Sequence, residues 1–166
     1  MDDPLTIRPA LPGDLEAITA IYNDAVMTTT ATFDTEPKSP AEQLAWLHAH
    51  GGRFAVLVAA EDGVVLGWTS LSRWSDRSAY DDTAETSVYV RRDSRGRGIG
   101  RKLEAAIIEH ARNARFHTLI ARIAGESRAS LRLHESLGFV RIGTMKEVGR
   151  KFGRLLDVHM LQMMLG

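Results

Sequence analysis

Apolar and polar positions alternate along the chain so as to divide it into short strands and amphipathic helices. Leu5–Pro9 reads as an opening strand. Pro12, Gly13 and Asp14 then break the pattern. Asp14 is placed to cap a helix, because Leu15, Ile18, Ile21, Tyr22 and Ala25 recur at helical spacing behind it. Ser39, Pro40 and Glu42 combine a cap, a first-turn proline and a capping-box glutamate. They open a second helix that carries Leu44 and Leu47 and stops at Gly51-Gly52. Residues 54–60 and 64–72 are strand-like, with Glu61, Asp62 and Gly63 forming a tight hairpin turn. A polar loop over residues 73–82 precedes a strand at Thr83–Val90, and a glycine-studded segment at 95–100 opens a helix bearing Leu103, Ala106, Ile107 and Ala111. A strand at 117–123, a helix at 127–137 ended by Gly138, and closing strands at 139–144 and 155–163 complete the order. That order predicts a mixed α/β sheet with helices on its faces.

Composition narrows the function classes. The 166 residues, without repeat, low-complexity tract or flexible linker, suit one domain spanning 1–166. Lys plus Arg equals Asp plus Glu at 21 each, which argues against a general nucleic-acid or membrane-surface binder. The absence of cysteine excludes disulfides, thiolate catalysis and cysteine-ligated metals. His48, His50, His110, His117 and His159 form no metal constellation, so no metal is expected. Met160, Met163 and Met164 read as packing residues. No apolar stretch approaches the roughly 20 residues of a membrane span. The start, Met1-Asp2-Asp3-Pro4, is acidic where a secretory leader would be basic and then apolar. A cytoplasmic location is expected.

The chemistry concentrates between Thr86 and Lys102, where a strand runs into a loop with three alternating glycines and the loop opens a helix. Glycines let the backbone approach a ligand and turn its N–H groups toward one point, and a helix N-terminus adds unpaired donors. Arg91, Arg92, Arg95, Arg97, Arg101 and Lys102 surround the same spot. The expected guest is a multiply charged phosphate ligand. A P-loop is excluded by spacing and by its missing hydroxyl. A dinucleotide fingerprint needs Gly-x-Gly-x-x-Gly directly after its strand, whereas here the spacing is Gly-x-Gly-x-Gly. An RNA-binding module using the Arg91–Lys102 basic loop remains as a non-enzymatic alternative, although it calls for interleaved exposed aromatics and a basic total.

Arg95-Gly96-Arg97-Gly98-Ile99-Gly100 resembles the Arg/Gln-x-x-Gly-x-Gly/Ala pattern of the GNAT superfamily of N-acetyltransferases, in the strand–loop–helix setting of that family. Residues 127–139 resemble the superfamily's later helix motif, which ends in Gly-Phe, as Gly138-Phe139 does here. Residues 148–158, with 21–26 and 30–33, are similar to the phosphinothricin and methionine sulfoximine or sulfone acetyltransferase branch. The resemblance implies a mixed, largely antiparallel twisted sheet flanked by about four helices. It implies transfer of acetyl from acetyl-CoA, held by Arg95, Gly96, Arg97, Gly98, Ile99, Gly100 and Arg101 together with the backbone of Val88, Tyr89 and Val90. Ser136 of the later helix belongs to the same set. Ser127 stands where the family usually has Asn, and it can cap the helix. His134 stands where many members have a tyrosine acid, and its surroundings favour a packed histidine.

Glu85 matches the branch's general base, and partial burial beside the sheet would strengthen an otherwise weak base. A local bulge in the Thr83–Val90 strand is the expected way to free N–H donors for the thioester carbonyl. The resemblance assigns the acceptor to Ser75, Asp76 and Arg77 with Thr86 and Ser87, Tyr80 and Trp74 walling the pocket. Arg77 would clamp a carboxylate. The implied acceptor is an amino acid of the phosphinothricin, methionine sulfoximine or methionine sulfone type, with another small amine or a protein N-terminus as alternatives. The resemblance also implies a homodimer.

Overall fold

The computed structural model describes residues 4–166; Met1, Asp2 and Asp3 of the acidic start lie outside them. Its strands are β1 (Leu5–Pro9), β2 (Val56–Glu61), β3 (Val64–Arg73), β4 (Thr83–Val90), β5 (Thr118–Ala124), β6 (Val140–Lys151) and β7 (Arg154–Met164). Its helices are α1 (Leu15–Thr28), α2 (Pro40–His48), α3 (Ile99–Asn113) and α4 (Arg128–Ser136). The strands form one sheet in the order β1-β2-β3-β4-β5-β7-β6. Pairing is antiparallel except between β4 and β5. The mixed, largely antiparallel sheet with four helices is therefore what forms.

The parallel pair is where the sheet opens. β4 and β5 stay in register only over Thr83↔Thr118, Ala84↔Leu119 and Glu85↔Ile120. Beyond Glu85 the strands part. On its other side β4 remains paired with β3 without a register shift from Ala84 to Val90. The anticipated bulge in β4 is thus absent, and divergence from β5 exposes the strand edge instead.

Helix α3 shows why the sequence folds onto this sheet. Leu103, Ile107 and Ala111 recur four residues apart, so they share one face, and all are fully buried. That face lies on β3, where Gly67 makes room: a Cβ there would stand 3.0 Å from a Leu103 methyl and 3.0 Å from the Tyr89 carbonyl oxygen. The opposite face of the sheet is covered by α1, whose Ile18 and Ile21 pack with Val58 and Trp68. Each such side chain contributes about 1.5–3 kcal/mol by leaving water. The Asp62-Gly63 turn has φ of 50° and 79°, the two left-handed residues a tight hairpin requires.

Three local expectations are corrected. The Asp14 side chain does not cap α1. It accepts from the Leu11 N–H at 2.7 Å and pairs with Arg8 at 2.7 and 2.9 Å, and a fork of donors outcompetes one helix N–H. Those contacts hold its carboxyl below the usual range, the Arg8 hydrogen bond contributing most. Ser127 likewise makes no side-chain cap to α4. Strand β6 runs to Lys151 rather than ending near residue 144, because shifts at Arg141/Gly143 and Met145/Gly149 hide its alternation.

Candidate active site

The two-residue period of β4 sorts its side chains between two compartments. Val88 and Val90 pack toward Ile99 and Leu103 of α3, whereas Tyr89 joins the Trp68 and Ile18 cluster on the α1 side. Backbone groups sort in the same way. The Arg91 N–H donates to the Leu66 carbonyl at 2.8 Å. The alternation of an antiparallel ladder then turns the backbones of Tyr89 and Ser87 toward β3, and those of Val88 and Val90 toward the gap left by β5.

On the α3 side lies a cleft of about 550 Å³, lined by Val88, Val90, the glycine loop and α4. Gly96 and Gly98 hold φ of 78° and 79°, a region costly for any side chain. Gly100 is needed for a different reason. It is already helical, but a Cβ would stand 3.1 Å from a Leu133 methyl, so its absence lets α4 close on the start of α3. The first backbone bond of α3 runs from the Lys102 N–H to the Gly98 carbonyl at 3.1 Å. The N–H groups of Ile99, Gly100 and Arg101 therefore have no acceptor inside the helix and stand at its positive end. Arg95, Arg101 and Arg132 line the same cleft. Arg101 is steadied by a 2.9 Å bond to the Ser136 hydroxyl. Glycine-turned amides, a helix N-terminus and three guanidinium groups suit a diphosphate, and the unpaired edge of β4 suits an extended amide chain lying alongside it.

On the other side lies a cavity of about 310 Å³ walled by residues 30–33, Glu85, Ser87, Tyr89, Arg122, Met145 and Val148. Glu85 and Arg122 form a two-pronged ion pair, Arg122 Nη2 to Oε1 at 2.7 Å and Nε to Oε2. Glu85 is partly buried, as expected, with 17% of its side chain exposed; the guanidinium against it was not foreseen. That bond raises the arginine's proton affinity further. The wall at 30–33 is pinned by Lys151, whose ammonium donates to the Thr32 carbonyl at 2.7 Å. Phe33 lies over Gly149, where a Cβ would stand 2.2 Å from its ring. Burial pushes the Tyr89 phenol up to about 12, so it stays neutral.

Between the two spaces is a narrow passage bordered by Thr86, Ser87, Val88, Ile123, Ser127 and His134. Beneath it Glu104 is fully buried, and burial raises the pKa of its carboxyl. His134 Nε2 is 3.6 Å away. His134 Nδ1 bonds the Ser130 carbonyl at 2.8 Å, which requires that Nδ1 carry the proton. The Thr86 hydroxyl is near enough to Glu104 to favour its charged form, although neither the hydroxyl nor either carboxylate oxygen has a hydrogen-bond partner of full geometry. His134 is thus a packed, hydrogen-bonded histidine at the border of the passage.

The structure gathers most of the expected residues and sets others aside. Val88, Val90, Arg95, Gly96, Gly98, Ile99, Gly100, Arg101 and Ser136 line the first cleft. Ser127 reaches only the passage, and Tyr89 lines the passage and the second cavity. Arg97 pairs with Glu61 at 2.8 Å, Arg92 with Asp24 at 2.8 Å, and Arg91 with Asp93 at 2.6 Å. Ser75, Asp76, Arg77 and Tyr80 do not line the second cavity, and Tyr80 is 44% exposed. Trp74 approaches it, its ring centroid 5.6 Å from the Arg122 guanidinium. Arg122, Arg132, Phe33, Met145 and Val148 were assigned no role from sequence. A lone arginine within the otherwise buried run of β5 was the one signal for Arg122.

The family model described as the acetyltransferase (GNAT) domain matches residues 7–160. The chain is 41% identical to an L-amino acid N-acyltransferase of Escherichia coli over 97% of its length and 94% of the relative's. It is 43% identical to an L-methionine sulfoximine/L-methionine sulfone acetyltransferase of Pseudomonas paraeruginosa, over 96% and 94%. Its fold is similar to the crystal structure of a GNAT superfamily phosphinothricin acetyltransferase from Sinorhizobium meliloti in complex with acetyl-CoA. The TM-score is 0.95 at 35% identity, covering 99% of this chain and 90% of that one.

Proposed function

The chain belongs to the GNAT acetyltransferase family, and from that premise we propose that it acetylates the amino group of a small amino acid of the methionine sulfoximine, methionine sulfone or phosphinothricin type. It acts as a single domain and takes the acetyl group from acetyl-CoA. The observation that carries this reading is the shared wall of β4: one face of one strand borders the anion-binding cleft, and the other carries Glu85 into a small polar cavity. The relatives named for amino-acid acceptors supply the substrate class. The resemblance implies that acceptors of this type are toxic inhibitors of glutamine synthetase, so detoxification is the role this activity would serve.

In this reading the diphosphate of coenzyme A rests on the amides of Ile99 to Arg101, with Arg95, Arg101 and Arg132 around it. The pantetheine arm runs along Val88 and Val90, whose backbone groups face the gap and pair with its amides, the Val90 carbonyl also accepting from Arg95 Nε at 3.2 Å. Acetyl-CoA supplies an activated carbonyl, which a β4 backbone N–H polarises. The acceptor amine lies beside Glu85 and Ser87. Its nitrogen forms the new bond to the acetyl carbon as the carbon–sulfur bond breaks. Glu85 takes one proton from the entering ammonium, directly or through water, which frees the nitrogen lone pair for attack, and the second proton, released as the amide forms, passes through water to the departing thiolate. We assign Ser75, Asp76, Arg77 and Tyr80 to the approach of the cavity rather than its wall.

We also propose a homodimer. Edge strand β6 exposes Val140, Ile142 and Val148, the β6–β7 turn exposes Phe152, and the start of β7 exposes Leu155, an apolar border that a second copy would cover. No helix among the described residues is long and apolar enough to cross a membrane. We place the enzyme in the cytoplasm, where acetyl-CoA is available, and assign it neither a metal nor a nucleic-acid partner.

The test is thiol release from acetyl-CoA across phosphinothricin, methionine sulfoximine, methionine sulfone, common amino acids and peptides. Turnover should be confined to free amino acids, and Glu85→Gln should lower kcat by about 100-fold or more with coenzyme A binding retained. Full activity of Glu85→Gln between pH 6 and 9 would remove Glu85 from the reaction, and peptide acetylation alone would redirect the substrate class.

A further inference from the structure

The structure assigns to Arg122 the selection of zwitterionic acceptors, by an exchange of ion-pair partners with Glu85. The inference rests on the acetyl-transfer reading above and identifies what decides the acceptor at that site.

Arg122 is the one charged residue of β5, and every neighbour in the strand is buried while it is exposed. It follows Ile120, the last residue of β5 in register with β4, so it stands where the strands part. Its fork closes on both oxygens of Glu85. The fork takes one lone pair on each oxygen and balances the charge, so an incoming ammonium must compete with Arg122 for the carboxylate. The resting cavity therefore holds its base candidate occupied. The pairing is not locked, because 51% of the Arg122 side chain is exposed and only two of its five N–H donors are used.

Charge balance decides what can open this pair. A simple amine entering as its ammonium ion would pair with Glu85 and leave the guanidinium without a partner. An acceptor with an ammonium and a carboxylate on adjacent atoms offers one partner to each side chain. Its ammonium goes to Glu85 and its carboxylate to the Arg122 fork, so one ion pair becomes two and no charge is stranded. Trp74 lies 5.6 Å from the guanidinium on the approach to the cavity and can support it as it turns from Glu85. This role differs from the clamp expected of Arg77, which does not line the cavity. It also makes binding of the correct acceptor the event that frees Glu85. Arg122 acts here as a positioning and specificity residue.

The test compares methionine sulfone with its carboxamide, which keeps the amine and lacks the carboxylate. The amide's amine is intrinsically less basic, so the informative quantity is the acid-to-amide ratio of kcat/KM in the wild type divided by the same ratio in a variant. Arg122→Leu suits an apolar strand and should lower the acid-to-amide ratio by about tenfold or more, so that this quotient rises to about ten, chiefly through a raised KM for the acid. Arg122→Lys keeps the charge without the fork and should fall between. Coenzyme A binding, measured by calorimetry, verifies folding in each variant. An unchanged ratio in Arg122→Leu, or an equal rise for both acceptors, would overturn the proposal, the second result meaning that Arg122 only masks Glu85. A wild type that acetylates neither acceptor nor any other amino acid would instead overturn the acetyl-transfer reading itself.

Discussion

Nε2 of His134 stands 3.6 Å from a carboxylate oxygen of Glu104, and both side chains are buried, His134 at the border of the passage between the two cavities. With Nδ1 committed to Ser130, only the Nε2 edge faces the acid. Burial raises the Glu104 pKa, while His134 and then Thr86 oppose that rise. An unfolded chain releases this proton near the usual 4.5 and the folded chain does so higher. Above 4.5 the folded state holds more protons, so stability falls as pH rises through that window. Glu104→Gln removes the titration. Its unfolding free energy should gain on that of the wild type as pH increases from 4 to 8, by about 1–3 kcal/mol at the upper end, read from denaturant titrations at each pH. A difference independent of pH would mean that Glu104 pays no charge-burial cost.

Gly98 caps α3 with φ of 79°. Gly98→Ala should cost about 1 kcal/mol of stability from left-handed strain and turn the loop amides away from the cleft. The measurable result is a coenzyme A Kd raised several-fold with acceptor KM little changed. Gly100→Val should act through space instead, by wedging α4 away from α3 at Leu133.

Arg101 reaches into the cleft from the first turn of α3. Arg101→Ala should weaken coenzyme A binding by about tenfold, the scale of one charge-assisted contact, and should leave binding of pantetheine alone unaffected. Equal weakening of both ligands would move the diphosphate elsewhere.

Gly149 carries no side chain because Phe33 occupies the space, 2.2 Å from where its Cβ would be. Gly149→Ala should displace Phe33 from the wall of the acceptor cavity. Acceptor KM should change by several-fold or substrate preference should shift, while the Kd for coenzyme A stays constant. Loss of coenzyme A binding instead would show that Gly149 serves the overall fold.

What sequence could reveal follows from how local each signal is. The Ser39–Glu42 capping box formed in both directions, Ser39 N–H to Glu42 at 2.7 Å and Glu42 N–H to Ser39 at 3.2 Å, because all its parts lie within one turn. The glycine loop was legible for the same reason. Arg122 was not, because its partner depends on a parallel pairing between strands separated by α3. Phe33 and Gly149 explain each other only once their segments meet. The length of β6 was obscured by a bulge at Glu147, whose N–H is held by Asp157 at 2.8 Å and whose φ is 49°. Proximity in sequence groups the arginines at 91, 92 and 97 with the phosphate site, whereas in the fold each also pairs with an acidic side chain that sequence does not reveal.

Acetyl transfer depends most on the cleft between the glycine loop and α4, and calorimetric titration of the folded protein with coenzyme A addresses it directly. The expected result is one site per chain, with a Kd in the range of about 1 μM to 1 mM and binding that weakens as salt is raised. Absence of any saturable heat from protein with an intact melting transition would contradict it.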